Sequence, residues 1–177
     1  MKKMIMILAA LLCMAPAFAQ SSPIPQRLEL VEVDINEGET VLEIFNSPVE
    51  GQNHYYLSVG HLGIGDEVVQ LRFDPLFELF LPLGDTLAEA MERLQTLQNL
   101  YKEAVGTSIV IDGNLAAGFP NDKLEPVTVT LRKPLLTRML EFSVEREGYI
   151  RSTHVSRMDF GSIVTSMKLH RKIHPND

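Results

Sequence analysis

The feature that most constrains the fold of this chain is one amphipathic stretch, residues 85–106, with the sequence DTLAEAMERLQTLQNLYKEAVG. Thr86 and Glu89 match a capping box, in which each side chain satisfies a free backbone N–H at the start of a helix. Apolar residues then recur at steps of three and four: Leu87, Met91, Leu94, Leu97, Tyr101 and Ala104. Gly106 tolerates a left-handed backbone and is suited to end the helix. The pattern predicts one long helix over residues 86–105, with one apolar stripe to bury.

Short runs in which apolar and polar residues alternate lie on both sides of this helix. In residues 127–132 every second side chain is apolar, which predicts a half-buried strand. The dipeptide Asp112-Gly113 is suited to a tight hairpin turn after a short strand over residues 108–111. We count about nine or ten such strands, with the helix between two groups of them. The predicted fold class is α+β, a mostly antiparallel sheet with one long amphipathic helix packed on it.

The last segment, residues 160–173, fits two structures. Ile163, Met167 and Ile173 fit a strand of period two, and the same region also shows helical spacing. The β-branched residues at its start favour the strand, because they pack well on a pleated surface. We therefore predict a strand here and keep the helix as the alternative.

The first nineteen residues have the features of a secretory signal peptide. Lys2 and Lys3 give a basic start, and residues 4–14 form an apolar core that is too short to span a bilayer. An A-x-A cleavage site ends at Ala19. We expect cleavage near Ala19 and a periplasmic or secreted location.

The remaining length suits one domain with a hydrophobic core. Residues 20–26 are expected to form a flexible lead-in and residues 27–174 a single globular α+β domain. The chain has a formal net charge of −7, which becomes −9 without the two lysines of the signal peptide. So acidic a domain lacks the basic footprint of a nucleic-acid binder, which excludes that class of partner. The sole cysteine, Cys13, leaves with the signal peptide, so we expect no disulfide, and no mature segment reads as a transmembrane helix.

His154 is the residue that best fits a catalytic role. It alternates with Ser152 and Ser156, and residues two apart on a strand lie on one face. An imidazole near hydroxyl groups can act as a general base. The alternative function is therefore a small hydrolase whose site is assembled around His154 only in three dimensions. Because the sequence has no G-x-S-x-G motif, a histidine that simply belongs to the sheet is the competing interpretation.

Two groups of residues have side chains that bind metals. Asp112, Asn114 and Asp122 carry oxygen atoms of the kind that Ca²⁺ prefers, but their spacing is not that of an EF-hand and is typical of turns. His170 and His174 are four residues apart, yet they have no third ligand and are flanked by lysines and an arginine. The sequence predicts no metal and no other cofactor.

Basic residues are concentrated at the end of this acidic chain. The last forty residues hold seven of the fourteen Lys and Arg that follow the signal peptide: Arg138, Arg146, Arg151, Arg157, Lys168, Arg171 and Lys172. Such a patch can face an acidic protein partner or the membrane surface. Arg151, Arg157 and Lys168 are the candidate binding residues of this patch.

We therefore expect a non-catalytic binding or accessory protein of the periplasm or cell exterior, whose partner is an unknown protein or a component of the cell envelope. Whether the chain is also an enzyme stays open, and self-association through an exposed strand edge is a third alternative.

Overall fold

The computed structural model describes residues 25–35, 40–64 and 72–174. The predicted signal peptide, residues 1–19, and most of the predicted lead-in lie outside these residues. The described part of the chain forms eight strands and two helices, in the order β1 (Leu28–Ile35), β2 (Thr40–Asn46), β3 (Tyr55–Ile64), β4 (Arg72–Gly84), α1 (Leu87–Leu100), β5 (Ser108–Ala116), β6 (Glu125–Arg132), β7 (Met139–Arg146), β8 (Tyr149–Ser156) and α2 (Arg157–Ile173). Neither of these helices has the length and apolar character needed to cross a membrane.

The strands close into a barrel because β8 returns to β3. Each strand pairs antiparallel with the next one along the chain, and Gly63 and Ile64 of β3 also pair with Ser152 and Arg151 of β8. Strands β3 to β8 thereby form a closed six-stranded barrel. The first half of β3 pairs with β2, so the hairpin of β1 and β2 extends from the barrel wall. The register of β3 shifts between Ser58 and Gly63, and such bulges bend a strand so that its two halves can have different neighbours.

One apolar core fills the barrel and continues beneath both helices. The inward side chains of the wall are fully buried, for example Leu57, Val129 and Phe142. Burial of each such side chain stabilises the fold by about 1.5–3 kcal/mol. Helix α1 packs against β4 and α2, and α2 packs against β1, β2 and β8. The helices therefore complete the core.

Tyr101 fastens the end of α1 to the junction of β8 and α2. Its hydroxyl donates to the carbonyl oxygens of Val155, at 2.8 Å, and Ser156, at 3.2 Å. Its ring lies 5.8 Å from the ring of Phe160 on α2. Burial raises the pKa of Tyr101 well above its ordinary value, so the phenol stays protonated and remains a donor.

A cation clamp fastens the start of β1 to the outer face of the barrel. The guanidinium of Arg27 lies over the rings of Phe45, 4.7 Å from the centroid, and Phe80, at 5.6 Å. It also forms ion pairs with the carboxylates of Glu43 and Glu78. Burial by itself lowers the pKa of Arg27, but the hydrogen bond to Glu43 and the charges of Glu78 and Glu43 raise it above its ordinary value. Arg27 therefore stays charged.

The predicted fold class is wrong in its architecture. The sequence predicts an α+β domain with one long helix on a sheet, whereas the structure has a closed barrel and two shorter helices. The capping box of Thr86 and Glu89 is present, but α1 ends at Leu100 rather than near residue 105. It ends there because the chain turns back to the barrel wall, where the N–H of Gly106 donates to the carbonyl of Leu131 at 2.8 Å.

The strand predicted within residues 160–173 is also wrong, because this segment is helix α2. The hydroxyl of Ser156 caps the helix by accepting from the N–H of Asp159 at 3.2 Å. The buried side chains of α2 recur at helical steps: Phe160, Ile163, Val164 and Met167. This packing outweighs the strand preference of the β-branched residues, since tertiary burial commonly overrides propensity.

The dipeptide Asp112-Gly113 does not form the predicted hairpin turn. It lies within β5, where Asp112 pairs with Pro126 and Gly113 with Glu125 of β6. A Cβ atom on Gly113 would lie 2.3 Å from a methyl group of Val127. Glycine is therefore required here by the close approach of two strands.

Candidate binding groove

A groove of about 1000 Å³ opens to solvent where α1, α2 and the connection between β6 and β7 meet. That connection, residues 133–138, has the sequence KPLLTR and is called the leucine loop below. The residues that line the groove are Gln98, Lys133, Leu136, Thr137, Arg138, Arg157, Met158, Gly161, Ser162, Thr165 and Ser166. The side chains come from three elements that are distant in sequence, so the groove exists only in the folded chain.

Arg138 fixes the base of the leucine loop. Its Nη1 donates to the carbonyl oxygens of Tyr101, at 2.7 Å, and Glu103, at 2.8 Å. These carbonyls follow the end of α1, where a cation also interacts favourably with the helix dipole. The backbone N–H of Arg157 donates to the carbonyl of Arg138 at 3.1 Å. The loop is thereby joined both to α1 and to the start of α2.

The groove is electropositive in an acidic protein. Among the residues that the structure describes, it is lined by Lys133, Arg138 and Arg157 and by no carboxylate side chain. The leucine loop and α2 together hold six Lys and Arg and one Asp, which gives them a net charge of +5. Because the whole chain has a net charge of −7, the rest of the chain carries a charge of −12. Within the described residues, the side chains of Lys133 and Arg157 form no hydrogen bond or ion pair. These two cations are therefore available to a ligand.

Hydroxyl groups complete the polar lining. Those of Ser162 and Thr165 donate to carbonyl oxygens of the preceding turn of α2, at 3.1 and 2.8 Å. The cations are therefore the main donors that the groove offers, and they favour an anion. Leu136 and Met158 add apolar surface, which an amphiphilic ligand would cover.

The candidate binding residues Arg151, Arg157 and Lys168 do not lie together. Arg157 lines the groove, and Lys168 lies on the exposed side of α2. Arg151 is buried in β8, where its Nη1 donates to the carbonyl of Arg146 at 2.8 Å, and it does not line the groove. Lys133 also lines the groove but is not among the predicted binding residues, because it precedes the forty residues in which basic side chains are most concentrated.

His154 lies beside a carboxylate on the outer face of the barrel. Its Nε2 is 3.6 Å from Oε1 of Glu141, whose Oε2 accepts from Nε of Arg132 at 2.7 Å. A carboxylate can orient an imidazole as a general base, but here Arg132 shares the same carboxylate. The nearby hydroxyl of Ser156 is committed to Asp159 at 2.5 Å. His154 is not among the residues that line the groove.

Glu141 was missed although the sequence holds the signal for it. Glu147-Gly148 forms a two-residue turn between β7 and β8, and such a turn fixes the register of both strands. That register places Glu141 directly opposite His154. Counting outwards from the turn would therefore have identified the pair.

The candidate metal ligands Asp112, Asn114 and Asp122 lie in different environments. Asn114 is fully buried, and its amide nitrogen donates to the carbonyl oxygens of Asn121 and Lys123. Its side-chain oxygen accepts from the N–H of Asn121 at 2.9 Å, so it holds the loop after β5 in place. Asp112 and Asp122 are exposed. In the described ranges no three His, Cys, Asp or Glu side chains are grouped as a metal site.

His170 and His174 stack on each other at the end of α2. Their ring centroids are 4.7 Å apart and the rings are inclined by 27°. This geometry follows from their spacing of four residues on a helix.

Comparison with known proteins identifies no relative of this chain. No family model matches the chain, and no significant match is found among curated proteins or solved structures. The function is therefore inferred from the geometry and charge of the groove.

Proposed function

We propose that this protein is a non-catalytic binding or accessory protein of the periplasm or cell exterior, and that its groove binds an anionic ligand. The observation that carries the proposal is the gathering of Lys133, Arg138 and Arg157 in one groove whose described lining holds no carboxylate, in a chain that is otherwise strongly acidic. Proteins use a local field of this kind to select and steer charged partners.

The size and openness of the groove favour a large ligand. Its volume of about 1000 Å³ is at the upper end of the range for small-molecule sites, and the groove is open rather than enclosed. A small anion would remain largely hydrated there. An extended polyanion or an anionic surface would contact both free cations. Hydrogen bonds to charged groups stabilise a complex by about 1.5–3 kcal/mol each before solvent screening.

The test is retention on a polyanionic resin, dextran sulfate, at neutral pH and about 0.1 M salt. An acidic protein without a cationic site is repelled by this resin, whereas we expect this protein to be retained. Reversal of the two free cations, Lys133→Glu with Arg157→Glu, should abolish the retention. The matched control, Arg93→Glu with Lys123→Glu, makes the same charge change at exposed positions that do not line the groove and should remain bound. Retention equal to wild type after the first double substitution refutes the proposal.

A hydrolase centred on His154 is the second candidate, and the approach of His154 to Glu141, at 3.6 Å, favours it. The expected test is a screen of ester and phosphoester substrates with wild type and His154→Ala. Any activity that His154→Ala retains in full does not belong to this pair. Glu141→Gln should reduce a genuine activity in parallel, because it removes the carboxylate charge that lies 3.6 Å from the imidazole.

A further inference from the structure

The leucine loop exposes two large apolar side chains at its tip. Leu135 is 94% exposed and Leu136 is 89% exposed, and Met158 across the groove is 78% exposed. Single exposed apolar residues are common, but several adjacent ones in contact with solvent mark an interaction site. None of the three contributes to the core.

The backbone of the loop presents Leu135 in an unfavourable conformation. Its φ angle is +56°, in the left-handed region that a bulky side chain adopts with strain. In the described ranges two other non-glycine residues have positive φ, Glu50 and Glu147, and each is followed by glycine in a tight turn. The leucine loop has no glycine. A strained leucine that is also solvent-exposed points to a use for its side chain outside the folded chain.

Cations lie near this apolar tip and along α2. Lys133 and Arg157 lie beside it, and Lys168, Arg171 and Lys172 follow along α2 together with the exposed Leu169 and Ile173. Protruding apolar side chains flanked by lysine and arginine suit the interface of an anionic bilayer, where the apolar groups enter the acyl region and the cations meet phosphates. A peptide would need a cleft that encloses its side chains, whereas Leu135 does not line the groove and is almost fully exposed to solvent.

We propose that the leucine loop and the exposed side of α2 dock on the surface of an anionic lipid bilayer. This inference rests on the proposed function, because the groove cations are the same, and it names the ligand as lipid phosphate in a membrane. Each Lys or Arg near such a surface strengthens binding about fivefold. Each leucine that enters the interface strengthens it by about tenfold.

The test is sedimentation of the purified protein with vesicles. Wild type should bind vesicles of phosphatidylcholine that contain about one third phosphatidylglycerol and should not bind pure phosphatidylcholine. Leu135→Ser with Leu136→Ser should weaken the binding about a hundredfold. The control Val110→Ser with Leu124→Ser removes two apolar side chains that are also exposed, elsewhere on the barrel, and should bind as wild type does. Because all four positions are exposed, we expect the melting temperatures of the variants to equal that of wild type. This measurement will show that the variants are folded.

The outcomes separate this inference from the proposed function. The Leu135→Ser/Leu136→Ser variant should still be retained on dextran sulfate, since its cations are intact. Wild type that is retained on dextran sulfate but binds no vesicle overturns the bilayer proposal alone. Wild type that binds soluble poly-glutamate and no vesicle assigns the surface to an acidic protein partner and likewise overturns it. Failure on both resin and vesicles overturns the proposed function as well.

Discussion

Replacing Arg27 with leucine tests whether the cation clamp stabilises the fold. The variant leaves the carboxylates of Glu43 and Glu78 without their cation, and those side chains are only 10% and 17% exposed. Hydrogen bonds to charged groups contribute about 1.5–3 kcal/mol each, and the cation above the two rings about 0.5–1 kcal/mol. Breaking a buried pair by removing one partner costs about 3–5 kcal/mol. Since Arg27 itself is 25% exposed, solvent compensates part of this loss, and we expect about 3 kcal/mol.

The assay is thermal and urea unfolding of wild type and variant. A loss of about 3 kcal/mol corresponds to a melting temperature about 6–12 °C lower for a domain of this size. The control is Arg93→Leu, in which an exposed arginine that donates to the carbonyl of Pro82 is removed. It should cost less than about 0.5 kcal/mol. In a double-mutant cycle, Arg27→Leu and Glu43→Gln should be strongly non-additive, because the second change removes a charge that the first leaves unpaired. A loss no larger than that of Arg93→Leu, or strictly additive effects, refutes the clamp.

Three further substitutions test the packing that positions the groove and the barrel wall. Tyr101→Phe removes the donor to Val155 and should cost about 1–2 kcal/mol in urea unfolding at neutral pH. Because the pKa of Tyr101 is higher in the folded chain than its unfolded value of about 10, its contribution is complete below that pH and is lost above it, so wild type should lose stability faster than the variant as the pH rises past about 10. Asn114→Ala should cost about 2 kcal/mol and speed hydrogen exchange at the amide of Asn121, which loses its acceptor; unchanged exchange would contradict the role of Asn114. Gly113→Ala should cost about 1–3 kcal/mol by overpacking, and the second change Val127→Ala should recover part of it if the close contact is the cause.

The local structure could be predicted from the sequence where one local pattern decides it. The capping box of Thr86 and Glu89 marks the start of α1, and the alternation in residues 127–132 marks β6. Closure of the barrel could not be predicted in this way. It depends on a bend in β3 and on pairing of Gly63 with Ser152, and both require the positions of strands that are far apart in sequence.

Helix α2 was assigned wrongly because two local signals disagreed. Ile163, Val164 and Thr165 favour a strand by propensity, whereas the helical spacing of the buried residues is the signal that prevails in the fold. The hydroxyl of Ser156 at the start and Asp159 three residues later form a helix-start signal that should have decided the question.

The candidate site was predicted only in part for a similar reason. The sequence shows that basic residues are concentrated near the end of the chain, but it does not show which of them line the groove. Arg151 is buried, whereas Arg157 lines the groove. The exposure of Leu135 and Leu136 is equally invisible. Two leucines after a proline fit a buried segment as well as an exposed tip, and only the loop conformation distinguishes these cases.

The charge distribution of the protein predicts how its binding to an anionic surface depends on salt. The groove cations can contact an anionic surface directly, whereas the acidic remainder of the protein, with its charge of −12, stays farther away and is repelled. The Debye length falls from about 30 Å at 0.01 M salt to about 10 Å at 0.1 M and about 3 Å at 1 M. Adding salt therefore screens the distant repulsion before it screens the contact attraction.

Binding to dextran sulfate, or to anionic vesicles, should accordingly strengthen between about 0.01 and 0.1 M salt and weaken towards 1 M. The measurement is the bound fraction across that series, with Arg93→Glu/Lys123→Glu as a control whose extra negative charge should deepen the loss at the lowest salt. A bound fraction that falls steadily from the lowest salt indicates that the repulsion is negligible, and it contradicts a single cationic face on an acidic body. A maximum at intermediate salt means that the protein binds in one orientation, with the leucine loop and α2 towards the anion and the acidic barrel away from it.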